Sequence, residues 1–299
     1  MSHYSVLVIG DNLEQDLAPY DENTSVDPYR DYIDLDPTKW PLSALQDDNP
    51  ELFEDWTAAS HLLAAEALNE RWGENYEVDE QGIYQTTTYN KDSKWDYWRV
   101  GGRWAGHWTL KPGSQGTLED LSWEWGFRNS DDPPLPDFSN RADVALKVDI
   151  DFDRMRQDAV DKAADEYDRF TAVVDSVGPL PDDSWREGPW NDSKEASRDA
   201  YWNHPTVKAL RDAGLLGWTG WPSEMYGVDR NTYIERARLE AITTYALVYE
   251  GKWIEPGAMG WWGMSSDTEE SRNEYAKKFN ELIDSLPDDT TLTVVDCHI

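Results

Sequence analysis

Residues 95–110 read WDYWRVGGRWAGHWTL, and the bend at their centre sets the expectation for the fold. Gly101-Gly102 predicts a two-residue hairpin turn, because the primed turns that suit twisted strands need positive φ and glycine adopts it without strain. In that register Trp95 faces Trp108, Tyr97 faces Gly106 and Arg99 faces Trp104, all on one side of the ribbon. The pairs are chemically sensible: aromatic on aromatic, aromatic over glycine, guanidinium on indole. Asp96, Trp98, Val100, Arg103, Ala105 and His107 take the other side, and a slip of one residue would exchange the faces.

Outward from the bend, strands and helices alternate without a repeat. Tyr4 to Ile9 is a β-branched run ending at Gly10-Asp11 and predicts a buried strand. A Pro-, Asp- and Tyr-rich stretch to about Asn49 reads as an ordered loop pinned by Tyr20, Tyr29, Tyr32 and Trp40. A helix is expected from near Asp55 to Trp72, with Leu62, Leu63, Ala67 and Trp72 inward and Gly73 as its cap. Val144 to Ile150 alternates as a strand, and Met155, Ala159, Ala163, Tyr167 and Phe170 mark a helix face. Pro205 opens a short helix that ends at Gly214, and Asp229 caps another. Tyr245, Leu247 and Tyr249 alternate before a turn at Glu250-Gly251. Ser266 and Glu269 form a capping-box pattern ahead of Tyr275, Phe279, Leu282 and Ile283. Thr290 to Val295 closes the chain as a strand. The expected class is α+β, with mixed or antiparallel sheets, a central Trp-rich hairpin and several packed helices. The stiff acidic segment DDPPLPD (131–137) divides residues 1–130 from 138–299, and pairing of the terminal strands would unite the two parts.

Composition narrows what the molecule can bind. Sixty Asp and Glu stand against 27 Lys and Arg, a net charge of -33. Direct nucleic-acid binding is not expected, because phosphate contacts need basic groups. The charge fits plain solubility first, and after that mimicry of nucleic acid toward a basic protein. Aromatic residues make up 13% of the chain, including 17 tryptophans, which is enough burial area for a folded core. One cysteine, Cys297, rules out an intrachain disulfide. The opening lacks the basic and apolar regions of a signal peptide, and no run approaches a membrane span, so an intracellular protein is expected.

No motif for nucleotide phosphates, zinc proteolysis or serine hydrolysis is present, so no catalytic residue and no cofactor is expected. The bend is the candidate ligand site: Arg99, Arg103, Trp98, Trp104, Gly101, Gly102 and His107 combine cations, indoles and bare backbone, which suits a planar or phosphorylated molecule. The plainer reading is a hairpin whose indoles fill the core. Trp218, Trp221, Trp261 and Trp262, with Gly217, Gly220, Gly260 and Gly263, allow the same two readings. A hard cation is a further possibility at Asp149, Asp151 and Asp153, which alternate, although Arg154 stands where a calcium loop needs glycine. Asp296 and His298 share a strand face and would meet His3 if the termini pair, whereas Cys297 points the other way. Asp149, Asp151, Asp296 and His298 are therefore the candidate metal ligands.

The opening HYSVLVIGDN with LAPYDEN, the central WDYWRVGGRWAGHW and the closing LPDDTTLTVVDCHI resemble a family of proteins of unassigned activity encoded by tailed bacteriophages and prophages. The resemblance covers both ends and the centre. Similar openings continue with an aromatic-His-Glu-Phe-Glu stretch, from which Tyr20-Asp21-Glu22-Asn23 departs. The resemblance implies a phage product acting in the host cytoplasm and transfers no catalytic residue. The functions carried forward are a non-enzymatic accessory protein binding a host component (a nucleotide-like small molecule or a protein), an acidic inhibitor imitating DNA, and a metal-assisted hydrolase. A virion structural role is less favoured, since repeats and coiled coil are missing.

Overall fold

The last strand organises the main sheet. The computed structural model describes residues 2–46, 48–119, 137–187, 193–216, 221–260 and 264–299. In chain order the described elements are strand β1 (His3–Ile9), helix α1 (Leu13–Leu17), strand β2 (Tyr29–Tyr32), helix α2 (Ser60–Trp72), strands β3 (Tyr76–Asp79), β4 (Gly82–Thr87), β5 (Tyr97–Val100), β6 (Trp108–Thr109), β7 (Gly116–Thr117), β8 (Arg141–Ala142) and β9 (Val144–Leu146), helices α3 (Phe152–Val177), α4 (Ser193–Asn203), α5 (Pro205–Asp212), α6 (Pro222–Tyr226) and α7 (Arg230–Glu240), strands β10 (Ala246–Tyr249) and β11 (Lys252–Ile254), helix α8 (Glu269–Ser285) and strand β12 (Thr291–His298). The fold is α+β. Its seven-stranded sheet runs β11-β10-β1-β12-β9-β7, with β5 added to β12, and only the β1–β10 pair is parallel.

β1 and β12 are buried almost throughout, and such strands read as near-continuous apolar runs. They pair antiparallel from His3 opposite His298 to Ile9 opposite Leu292. One face of this pair carries Leu7, Ile9, Leu292 and Val294 into a core with Trp108, Ile150, Met155, Phe279 and Ile283. Full burial of the Trp108 indole removes about 200 Å² from water, worth about 5 kcal/mol. Its Nε1 has no hydrogen-bond partner, a cost of about 1–3 kcal/mol, so packing wins at this position.

The central hairpin does not form. β5 pairs with β12, and β6 pairs with β8. Gly101 adopts φ 68°, ψ -78°, a γ-turn geometry rather than the primed turn, and Gly102–Trp104 is a 3-10 turn. The Gly101 N–H donates to the Val294 carbonyl instead of to a local partner. A long apolar terminal strand offers β5 a fuller ladder than its sequence neighbour does.

Helix ends follow local chemistry closely. Gly73 caps α2 in the left-handed region, and Asp229 caps α7 by accepting from the Asn231 and Thr232 N–H groups. Asp151 caps α3 through the Arg154 N–H, and Lys147–Asp149 is a 3-10 turn, so the expected strand stops at Leu146. The α8 capping box is Thr268 with Ser271; Ser266 instead pairs with Ala258. Buried Asn280 ties three helices, donating to the Leu239 and Ala276 carbonyls and accepting from Arg156.

The chain separates into two compact units, Leu17–Asp96 and the remainder. Residues 131–136 lie outside the described ones. In the Leu17–Asp96 unit the sheet β2-β4-β3 packs with α2 around Leu42, Leu45, Ala64, Ala65, Leu68, Tyr76 and Ile83. Tyr29 to Tyr32 is therefore a strand, not loop, and Trp40 is 70% exposed.

Candidate functional site

β12 changes partners midway, and the candidate site lies at that change. On one side β9 pairs with Thr291 to Thr293 and β5 with Val295 to His298, leaving Val294 between them. Gly101 and Asp143 serve the Val294 backbone there. Asp143 is fully buried, and Oδ1 accepts from the Gly106 N–H at 2.6 Å while Oδ2 accepts from the Glu119 N–H at 2.9 Å. Burial raises its carboxyl above the usual range, against the lowering pull of those donors and of Arg99. Asp296, 2% exposed, accepts from the Arg103 N–H at 3.1 Å and from His3 Nδ1 at 2.8 Å. The two glycines press on these carboxylates: a Cβ on Gly101 would lie 2.5 Å from Asp143 Oδ2, and one on Gly102 would lie 2.4 Å from the Asp296 Cβ.

The bare backbone of the bend is thus filled from within by acid side chains. Arg99 stands opposite Asp296 in the ladder and acts electrostatically on Asp143. Trp98 stands opposite Cys297, so the pleat sends it to the other face from Arg99. Trp104 packs partly against the main core. Arg103 is exposed and makes no ion pair among the described residues. Burial holds the His107 imidazole down to about 4, and its Nε2 has no hydrogen-bond partner. The candidate ligand set is therefore divided between two faces and the core.

His3, Asp296 and His298 do converge. The His3 and His298 ring centroids are 4.8 Å apart, and His3 Nδ1 lies 2.8 Å from Asp296 Oδ1. Asp149 and Asp151 belong to the α3 entry instead. No group of three or more His, Cys, Asp or Glu among the described residues is placed to hold a metal ion. Cys297 is fully buried on the opposite face, and its thiol is pushed well up by burial. Trp221 lies under the Arg186 guanidinium at 3.7 Å and beside Trp202, while Trp218, Trp261, Trp262, Gly217, Gly220 and Gly263 lie outside the described residues. Asp143 escaped sequence reasoning because its partners come from residues 106 and 119, with no local pattern.

A second surface is unexpected. α2 turns Ala64, Ala65 and Leu68 inward and leaves Leu62 and Leu63 at 58% and 52% exposure. Small alanines let the helix sit close on its sheet, and the leucines are left outside. Exposed Glu66 and Glu70 share the helix, and exposed Glu51, Glu54 and Asp55 precede it. The signal was present in the sequence: Ala64, Ala65 and Leu68 fit the helical period as well as the leucine-based face does.

No family model, no curated protein and no solved structure matches the chain.

Proposed function

We propose that the chain is a non-enzymatic phage accessory protein that works in the host cytoplasm by binding a basic host protein. The observation that carries this reading is the outward face of α2, where two exposed leucines lie among carboxylates. Interfaces commonly place apolar anchors inside a polar rim, and an acidic rim selects a basic partner. The same unit is the more densely charged: between Leu17 and Asp96 nineteen acidic side chains stand against five basic ones. Elsewhere arginines are largely spent internally, as in Arg230 with Asp168 and Arg238 with Glu235. Among the described residues no helix is long and apolar enough to cross a membrane.

Capture from host lysate at low and high salt tests the proposal. Basic proteins released at high salt are the expected catch; a neutral or acidic catch that salt leaves in place counts against it. A second reading keeps the bend as a small-ligand site, and Arg103, exposed and without an ion pair among the described residues, is what favours it. Tryptophan quenching by a nucleotide panel distinguishes the two.

A further inference from the structure

The C-terminal end of α7, the start of β10 and the first turns of α8 enclose a cleft of about 250 Å³, independent of the α2 face. Pro256, Tyr245, Tyr275 and Ala276 give it apolar walls, and Glu240, Asp267 and Arg272 give it charge. Most polar groups here are already engaged. Tyr245 donates to the Gly257 carbonyl, and Arg272 lies 3.5 Å from Asp267. Two groups are not. Glu240, exposed at the rim, forms no salt bridge among the described residues, and partial loss of solvent raises its carboxyl despite the nearby Arg236 and Arg272. The Tyr275 hydroxyl is buried and makes no hydrogen bond of good geometry among the described residues; Thr244 beside it donates to the Ala246 carbonyl.

The Tyr275 hydroxyl can donate or accept and does not choose between ligands, whereas the Glu240 carboxylate only accepts. A donor cation satisfies Glu240; a carboxylate would face Glu240 and Asp267 with only an arginine that is already paired. Tyrosine faces favour cations as well, and the net charge of the chain concentrates them. The cleft is smaller than the usual drug-sized pocket, so the occupant is a small metabolite. We propose that this cleft binds a small primary amine with an apolar body, its ammonium held by Glu240 and its carbons laid on Tyr275, Ala276 and Pro256.

The test is calorimetric titration of the full chain with phenethylamine, 2-phenylethanol and phenylacetate, which share a body and differ in head group. Saturable binding of the amine is expected, at least about tenfold tighter than either of the others. Glu240→Gln should weaken the amine at least about tenfold, and Glu240→Lys should turn the preference toward phenylacetate. Glu240 is exposed on the rim, so both variants should keep the thermal midpoint of the parent. Equal binding of all three probes, no heat from the amine at millimolar concentration, or amine affinity unmoved by Glu240→Gln overturns the proposal. Should either variant fail to fold, the head-group preference of the unaltered chain decides alone.

Discussion

At Gly102 an added methyl group would meet the Asp296 Cβ, on a backbone already at φ 54°. Both effects act against any side chain, so Gly102→Ala is expected to cost at least about 3 kcal/mol. Urea unfolding measures this, and a loss under about 1 kcal/mol would show that the carboxylate does not fill the bend. His107 makes a pH prediction. Its imidazole titrates near 4 when folded, against an ordinary 6.5. Above 6.5 it is neutral in both states and its stabilisation is complete. As pH falls toward 4 the unfolded chain takes the proton first, and stability drops by on the order of 3 kcal/mol. Unfolding at several pH values should give a shallower slope for His107→Gln than for the parent over that window; identical slopes would place His107 in water. Sequence made the convergence of His3, Asp296 and His298 legible, because strand alternation puts alternate residues on one face. The filling of the glycine bend was not legible, since Asp143 and Asp296 reach it from remote parts of the chain.

The α2 helix carries the sharpest element-scale expectation. Leu62→Gln and Leu63→Gln should each leave stability within about 0.5 kcal/mol, whereas Leu68→Ala should cost about 2–4 kcal/mol. Thermal or urea midpoints of the three variants check it, and a costly Leu62→Gln would turn the helix the other way. Element existence was largely readable here: Gly73, Asp229 and Pro205 fix ends by local hydrogen bonding and backbone geometry, which sequence displays directly. Pairing was less readable. Gly101-Gly102 is a sound local signal for a hairpin, yet β5 finds a better partner two hundred residues away, roughly, in β12. Competition between a local turn and a distant buried strand is settled by total burial, which local pattern does not carry.

At the scale of the whole molecule, net charge is the controlling quantity. Like charges crowded on a folded surface repel, so screening should stabilise this protein. Its thermal midpoint is expected to rise as sodium chloride goes from about 0.02 M to about 0.5 M, where the Debye length shrinks severalfold. A falling midpoint would mean that internal ion pairs outweigh the repulsion. The acid excess was plain in the sequence. Its concentration on a separate Leu17–Asp96 unit was not, because the unit is bounded by the end of helix α1 and the start of strand β5 rather than by a Pro-rich linker. The most direct measurement of the binding account is the affinity of a captured partner as a function of salt. It should compare the parent, a variant with Glu51, Glu54, Asp55, Glu66 and Glu70 changed to their amides, and Arg103→Ala. The expected result is affinity that falls steeply with salt, falls again in the amide variant, and is unchanged by Arg103→Ala. Affinity indifferent to salt and to the amides, but lost with Arg103, would contradict the account and return the working surface to the glycine bend.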